Sequence, residues 1–426
     1  MKILVLGSGA KDHAIAWWFS QSKLIDGLFY APSNPGVEGY AVNLPQVDPS
    51  NGEQVYEACR QHDIDLVFIG TENPIFAGVV DYLEKKGQPT FGAPGYAIKL
   101  EGDRTFSRAF MKRHGIPCPQ SILIKDEDQL ESFLASKDPS RRIILKTNTM
   151  SPSRSLFEST CSSTLRSYAK TLLKGGPILA ESHVSGLAVS ATLLLDKSGG
   201  YLELPFSSDY TKSEENETGP ATGGMGSICP IPLRSFTLES LQKQIIEPTI
   251  KGLREEGLCY NGVLTLSIIV DDITQSPTLV DYHVRFNDPA TQAIIPTVEN
   301  DIVSLIQLML DNRISEARLQ TNNKSTVSVV LASKGYPDSP ELGVELSPIA
   351  PLVKANCLDS MPMLFFGAVK KDEDGVLKTT GGRCLTVVGC AKSIIEANSQ
   401  AYSITDSIAF PGSWYRKDIG NRFFES

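Results

Sequence analysis

The chain has 426 residues, 41% of them hydrophobic and 21% charged, the make-up of a globular protein long enough for about three domains. A net charge of −9 and a pI near 5.3 argue against a phosphate-backbone binder, so no nucleic-acid partner is expected. The eight cysteines form no CxxC pair, no apolar run reaches membrane-span length, and the start MKILVLGSGA lacks a signal peptide's apolar core. A cytoplasmic protein with reduced thiols and no membrane partner is expected.

In chain order, Lys2 to Leu6 is an apolar run ending in Gly7-Ser8-Gly9, and a helix is predicted over Asp12 to Ser20. Strand, glycine turn and helix open a doubly wound α/β unit. GSGAKDHA lacks the third glycine of the dinucleotide fingerprint, and no clear ribose-binding acid follows, so a dinucleotide site is the weaker reading. His13 reads equally as a ligand contact or a helix N-terminal residue. Asp65 to Gly70 is a second buried-strand pattern, and Glu72 after it is either a ligand contact or a turn carboxylate.

Farther on, a helix is predicted to about His114, a strand over Arg142 to Lys146, and a strand and turn over Ile178 to Gly186. Val189 to Leu195 and Gly200 to Leu204 read as a hairpin, and Ser213 to Glu217 as an acidic solvated stretch. Thr218 to Gly226 holds four glycines and a proline in nine residues, which predicts a loop and excludes helix or central strand. Glycines there let backbone amides approach an anion, although composition alone favours an ordinary turn. A helix over Pro248 to Gly257, a strand over Tyr260 to Val270, short strands after Ser325 and a helix over Ile394 to Ile408 complete the chain.

The string TGPATGGMG (218–226) resembles T-G-P-N-T-G-G-M-G of the phosphoribosylamine–glycine ligase (glycinamide ribonucleotide synthetase) family, within the ATP-grasp superfamily. VDYHVRFNDPATQ (280–292) is similar to that family's [IV]-E-x-N-x-R-F-G-D-P-E-x-Q, and YRKDIG (415–420) to [YF]-R-x-D-I-G. Weaker matches join them: LEGDRTF (100–106) to L-E-G-S-K-x-F, RIILK (142–146) to P-x-V-I-K, SSDYTK (207–212) to S-Q-D-[HY]-K-R, and Gly381-Gly382-Arg383 to N-G-G-R. The resemblance covers essentially the whole chain. It implies a multidomain α/β fold: an N-terminal doubly wound α/β domain over 1–103, ATP-grasp α+β domains over 104–190 and 191–324, and a small mixed C-terminal domain over 325–426.

The resemblance also implies an activity: ATP-dependent ligation of a carboxylate to an amine through an acyl phosphate, as in purine biosynthesis. ATP and Mg²⁺ would be the cofactors, a small-molecule amine and carboxylate the substrates, and the chain a monomer or homodimer. Carried over position by position, Arg104, Lys146 and Glu181 would hold nucleotide and Asp281 the metal. Thr222, Gly223, Gly224, Met225 and Gly226 with Asp209 would hold substrate, and Arg285, Asp288 and Asp209 would serve catalysis.

The sequence also departs from the family's pattern. Where the family has a glycine-rich phosphate lid, residues 147–156 contain no glycine, and Pro152 removes an amide donor. Arg104 replaces the family's phosphate lysine, so Arg104 and Arg154 are the candidate compensating cations. Leu187 and Ala188 stand in place of two acids after the hinge, and Ala290 in place of another. Asp281 stands for Glu and His283 for Asn; an imidazole nitrogen suits Mg²⁺ poorly and a softer metal better. Two readings stand: a diverged ligase, or a non-catalytic paralogue that binds a phosphorylated metabolite or a protein partner.

Overall fold

The computed structural model describes residues 1–149, 156–346 and 363–424. Strands β1 (Lys2–Leu6), β2 (Gly27–Ala31), β3 (Val42–Asn43), β4 (Leu66–Ile69) and β5 (Thr90–Phe91) form a parallel sheet in the order β3-β2-β1-β4-β5. Every residue of β4 is buried, as a strand covered on both faces requires. Strand order reverses at β1 and β4, so the loops after them open a crevice at their carboxyl ends. The helix after β1 starts at Ala10, two residues before the expected start, and the Asp12 carboxylate accepts the Gly9 amide at 3.0 Å. His13 is fully buried, and its Nδ1 accepts the Phe366 amide at 2.9 Å, pinning this domain to the C-terminal segment.

Strands β6 (Ser121–Ile124), β7 (Ile143–Thr147), β8 (Leu156–Ser159) and β9 (Ile178–Ser182) make an antiparallel sheet, β6-β9-β7-β8. Side chains alternate between its faces. Ile143, Leu145, Ile178 and Ala180 pack on Leu130, Leu134 and Leu165 of the helices Glu127–Ser136 and Ser162–Leu173. Lys146, Glu158 and Glu181 lie on the opposite face.

The chain continues with β10 (Leu187–Leu195), β11 (Tyr201–Glu203), β12 (Ser208–Glu214), β13 (Thr218–Cys229), β14 (Gly262–Val270) and β15 (Pro277–His283). A third sheet runs β11-β10-β14-β15 and is antiparallel. On one face Ala191, Leu193, Leu264, Leu266 and Tyr282 enter the main core with Ile250 and Leu253 of the helix Glu247–Glu255. The cross-strand pairs Ser190–Ser267–Asp281 and Thr192–Thr265–His283 lie on the other. Two polar sheet faces are thereby available to line a cleft.

The glycine-rich stretch is not a loop. Thr218–Cys229 is a single strand, paired with β12 along its length and with β16 (Ser325–Ala332) from Gly226 onward. Its register against β12 slips twice, and Gly219 and Gly224 take the positive φ values of 76° and 108°. The glycines therefore bulge a strand that still exchanges ladder hydrogen bonds, where composition predicted a break. With β17 (Met363–Phe366) and β20 (Arg383–Ala391) the order is β12-β13-β16-β20-β17; β18 (Val369–Lys371) and β19 (Leu377–Thr379) form a separate hairpin. Two expected boundaries fall within hydrogen-bonded structure: the cut at 190 lies inside β10, and the cut at 324 separates β13 from its partner β16. Among the described residues, no helix is long and apolar enough to cross a membrane.

Candidate functional site

A cleft of about 1010 Å³ runs between the polar faces of the second and third sheets and ends at the loops after β1 and β4. It gathers Glu181, Asp209, Thr222, Gly223, Arg285 and Asp288 from separate parts of the sequence. Arg104, Lys146, Asp281, Gly224, Met225 and Gly226 do not line it. Met225 is buried, and a Cβ at Gly226 would meet Ile419 at 2.7 Å, so these two belong to the sheet interior.

At the end of the cleft beside Lys146, charges are packed against each other. Lys146, 1% exposed, places Nζ 2.8 Å from Asp281 Oδ2 and 3.0 Å from Glu181 Oε2. Arg108 Nε donates to Glu181 Oε1 at 2.5 Å, and its Nη2 reaches Asp281 Oδ1 at 3.5 Å. Burial pushes the Asp281 carboxyl up, but Lys146, Arg108 and Arg104 more than reverse this and hold it well below the usual carboxylate range. Arg104 folds back onto the segment after β7, its Nη1 donating to Thr147 O at 2.5 Å while the Arg104 amide donates to Asn148 O at 3.0 Å. Arg154, Pro152 and the centre of the glycine-free stretch lie outside the described residues.

Both oxygens of Asp281 thus face cations. The two nitrogens of His283 are also engaged, Nδ1 with Glu101 Oε1 and Nε2 with Ser267 Oγ, each at 3.1 Å. Among the described residues, no three His, Cys, Asp or Glu side chains converge as a metal-holding group. With both oxygens of Asp281 already paired to cations, this set fits a divalent cation poorly.

At the other end, Arg285 is held between two carboxylates, with Nε 3.5 Å from Glu72 Oε2 and Nη2 3.1 Å from Glu101 Oε1. Glu72 is therefore no bare turn carboxylate: burial raises its carboxyl, and Arg285 with Lys11 brings it down to about 2. Asp209 moves the other way, raised by burial against the opposing hydroxyls of Ser227 and Ser190, the latter donating to its Oδ2 at 2.8 Å. Arg383 ties the glycine strand to the loop after β15: Nη1 donates to Gly223 O at 2.6 Å, and Nη2 lies 3.3 Å from Asp288 Oδ2. A Cβ at Gly224 would fall 2.4 Å from Asp288 O, so glycine is required for this approach. Across the cleft, Lys212 Nζ meets Glu158 Oε1 at 2.9 Å and bridges β12 to β8.

Several residues of this site carried no assignment from the sequence. Glu101 and Arg383 sat inside strings already matched to the family pattern, without a role. Arg108 had a signal of its own: it follows Arg104 by one helical turn in the helix Arg104–Arg113, which places both on the side facing β7.

Comparison with known proteins bears on the same architecture. Family models of phosphoribosylglycinamide synthetase match throughout: the N domain over residues 1–101, the ATP-grasp (A) domain over 102–291 and the C domain over 326–422. A phosphoribosylamine–glycine ligase of Rhizobium meliloti is 30% identical over 431 residues, covering 99% of this chain and 98% of the relative. One of Clostridium acetobutylicum is also 30% identical, over 99% of both chains. The crystal structure of phosphoribosylamine–glycine ligase from Thermotoga maritima superposes with a TM-score of 0.83 at 26% identity, over 98% of this chain and 100% of the other. The three-domain arrangement expected from the motifs is thereby established, and the chain belongs to the phosphoribosylglycinamide synthetase family.

Proposed function

We propose that the protein is an ATP-dependent carboxylate–amine ligase of the phosphoribosylamine–glycine type. The observation that carries this reading is convergence: Glu181 from the hinge strand, Asp209, the Thr222–Gly223 segment and the Arg285–Asp288 loop reach one cleft between two sheets. When bound, ATP supplies the phosphoryl group that activates the carboxylate, and Mg²⁺ arrives with its phosphates. Lys146 and Arg104 would meet the phosphate charge of the bound nucleotide. Arg285, fixed by Glu72 and Glu101, holds an anionic substrate group in place, and preorganised charge of this kind lowers the barrier without reorganisation cost. Asp209, with its raised carboxyl, takes the proton that the attacking amine gives up as phosphate leaves. The small-molecule substrates are those in the relatives' names, and the chain acts as a monomer or homodimer.

One observation favours a second reading, a non-catalytic binding protein: Lys146 is sealed beneath its own ion pairs and does not line the cleft. Calorimetric titration with ATP and magnesium, followed by phosphate-release assays with glycine and phosphoribosylamine, separates the two. Micromolar binding with substrate-dependent phosphate release is expected. No heat at millimolar ATP would leave the second reading.

A further inference from the structure

The turn Lys334-Gly335-Tyr336-Pro337, which the ligase chemistry leaves unused, reaches the cleft from behind. It follows β16, and its shape is fixed by hydrogen bonds from the Tyr336 amide to Ser333 O at 3.2 Å and from the Ser339 amide to Gly335 O at 2.8 Å. The Tyr336 ring packs against Gly382, where an added Cβ would fall 2.0 Å from its Cδ2, and it lies 6.5 Å from the Trp414 ring. So held, the Tyr336 hydroxyl accepts the Gly223 amide at 3.0 Å. Arg383 Nη1 donates to Gly223 O at 2.6 Å, so both backbone groups of this glycine are taken by side chains of the C-terminal segment. Thr222 Oγ1 accepts the Gly224 amide at 3.0 Å and donates to Thr211 O at 2.9 Å, which pins the next peptide. Gly223 lines the cleft, whereas Tyr336 stands in the wall of a neighbouring cavity. The register against β12 passes from Gly226–Tyr210 to Ala221–Lys212, so the bulge falls on residues 222–225. Two adjacent glycines have the most conformational freedom to lose. Without the side-chain bonds, substrate would have to order this stretch of wall as it bound.

We propose that Tyr336 is a positioning residue for the substrate site: with Arg383 it clamps the peptide groups of Gly223 in the orientation that a bound organic substrate meets. The hydroxyl touches no reacting atom and acts only through Gly223. This deepens the ligase reading and rests on it for the identity of the substrates, while the clamp itself is a property of the folded chain. A wall that is ordered beforehand favours the bound ground state and the transition state alike, so its loss raises KM and leaves kcat in place. Lys146 and Arg104 belong to the other end of the cleft, so the KM for ATP stays as it is.

The test is Tyr336→Phe in the full chain, which keeps the ring and removes the hydroxyl. Exchange of the Gly223 amide is followed by hydrogen–deuterium mass spectrometry with fragmentation of peptides spanning 218–226, beside thermal melting. Phosphate release is measured at varied glycine, phosphoribosylamine and ATP. Exchange about tenfold faster is expected, with the KM for glycine or phosphoribosylamine raised about tenfold at comparable melting temperatures. The kcat and the KM for ATP should stay within about twofold of wild type. A folded variant with unchanged exchange, or with every KM unchanged, overturns the proposal. An equal rise in the KM for ATP, or a matching fall in kcat, would show general loosening and overturns it too. Wild-type exchange at Gly223 as fast as in an unstructured peptide does so without any variant. Wild-type protein that releases no phosphate counts against the ligase reading alone. Exchange then decides the clamp, supported if the variant exchanges faster and overturned if it does not.

Discussion

The two ends of the cleft treat buried carboxylates in opposite ways. At the Lys146 end Asp281 sits among Lys146, Arg108 and Arg104, and these cations outweigh its burial, so it is ionised at any ordinary pH. At the crevice end Asp12 is 2% exposed; burial dominates there, with only Lys11 and the Gly9 amide opposing it, and its carboxyl rises to about 6. Asp209 shifts in the same direction. Burial alone therefore does not set the state of an acid. The count of cations within reach decides it. A charge-balanced end is built to hold itself together until an anion competes for its cations. An end with raised carboxyls is built to exchange protons.

The largest effect should come from unbalancing the Lys146 end. Glu181→Gln leaves Lys146 and Arg108, both nearly inaccessible, with Asp281 as their shared carboxylate. Removing one partner of a buried ion cluster costs about 3–5 kcal/mol, so urea unfolding should show a loss of that order. A loss under about 1 kcal/mol, the range of exposed ion pairs, would mean that water reaches the cluster and that the comparison fails. Asp12 tests the other end. Its folded value of about 6 lies above the unfolded one, so the native chain holds the proton more tightly. Stability contributed by Asp12 is therefore fully present below about pH 4, falls as the pH rises to about 6, and stays reduced above that. Asp12→Asn, which keeps an oxygen for the Gly9 amide, should gain about 2–3 kcal/mol over wild type at pH 7 and nothing at pH 4. Melting curves at the two pH values check this, and a gain that does not depend on pH would remove the titration from the account.

The same contrast explains what could be read from sequence. The strands of the first sheet were legible because continuous apolar runs followed by glycine turns leave few alternatives; DLVFIG became β4 almost residue for residue. Lys146, Asp209, Arg285 and Asp288 were legible as members of motifs. Their partners were not. Asp281 was read as a metal ligand from its position in a motif, while the cations around it come from residues 104–108 and 146, far away in sequence. The glycine strand misled because composition reports what the backbone can do locally, and pairing with β12 and β16 decided what it does. Glu101 and Ser267 had no local signal, because the histidine that joins the helical Glu101 to Ser267 of β14 comes from β15.

The smallest effects lie at the junction between the glycine strand and the Asp288 loop, where two adjacent glycines should respond differently. At Gly224 the φ of 108° is strained for any L side chain, and an added Cβ would lie 2.4 Å from Asp288 O and 2.6 Å from Pro289 Cδ. Those are backbone and ring atoms that cannot swing away, so Gly224→Ala should cost about 1–3 kcal/mol and move the Asp288 loop. At Gly223 the added Cβ would meet the Arg383 guanidinium at 2.6 Å, the far end of a flexible side chain. Arg383 can withdraw by a rotamer change, so Gly223→Ala should cost about 1 kcal/mol, the worth of the hydrogen bond to Gly223 O. Paired with Arg383→Ala, the Gly223 substitution should add nearly nothing more in denaturant melts, because both remove the same contact. Full additivity would show that Arg383 does not join the glycine strand to the Asp288 loop, and that this end is held by the strand ladder alone.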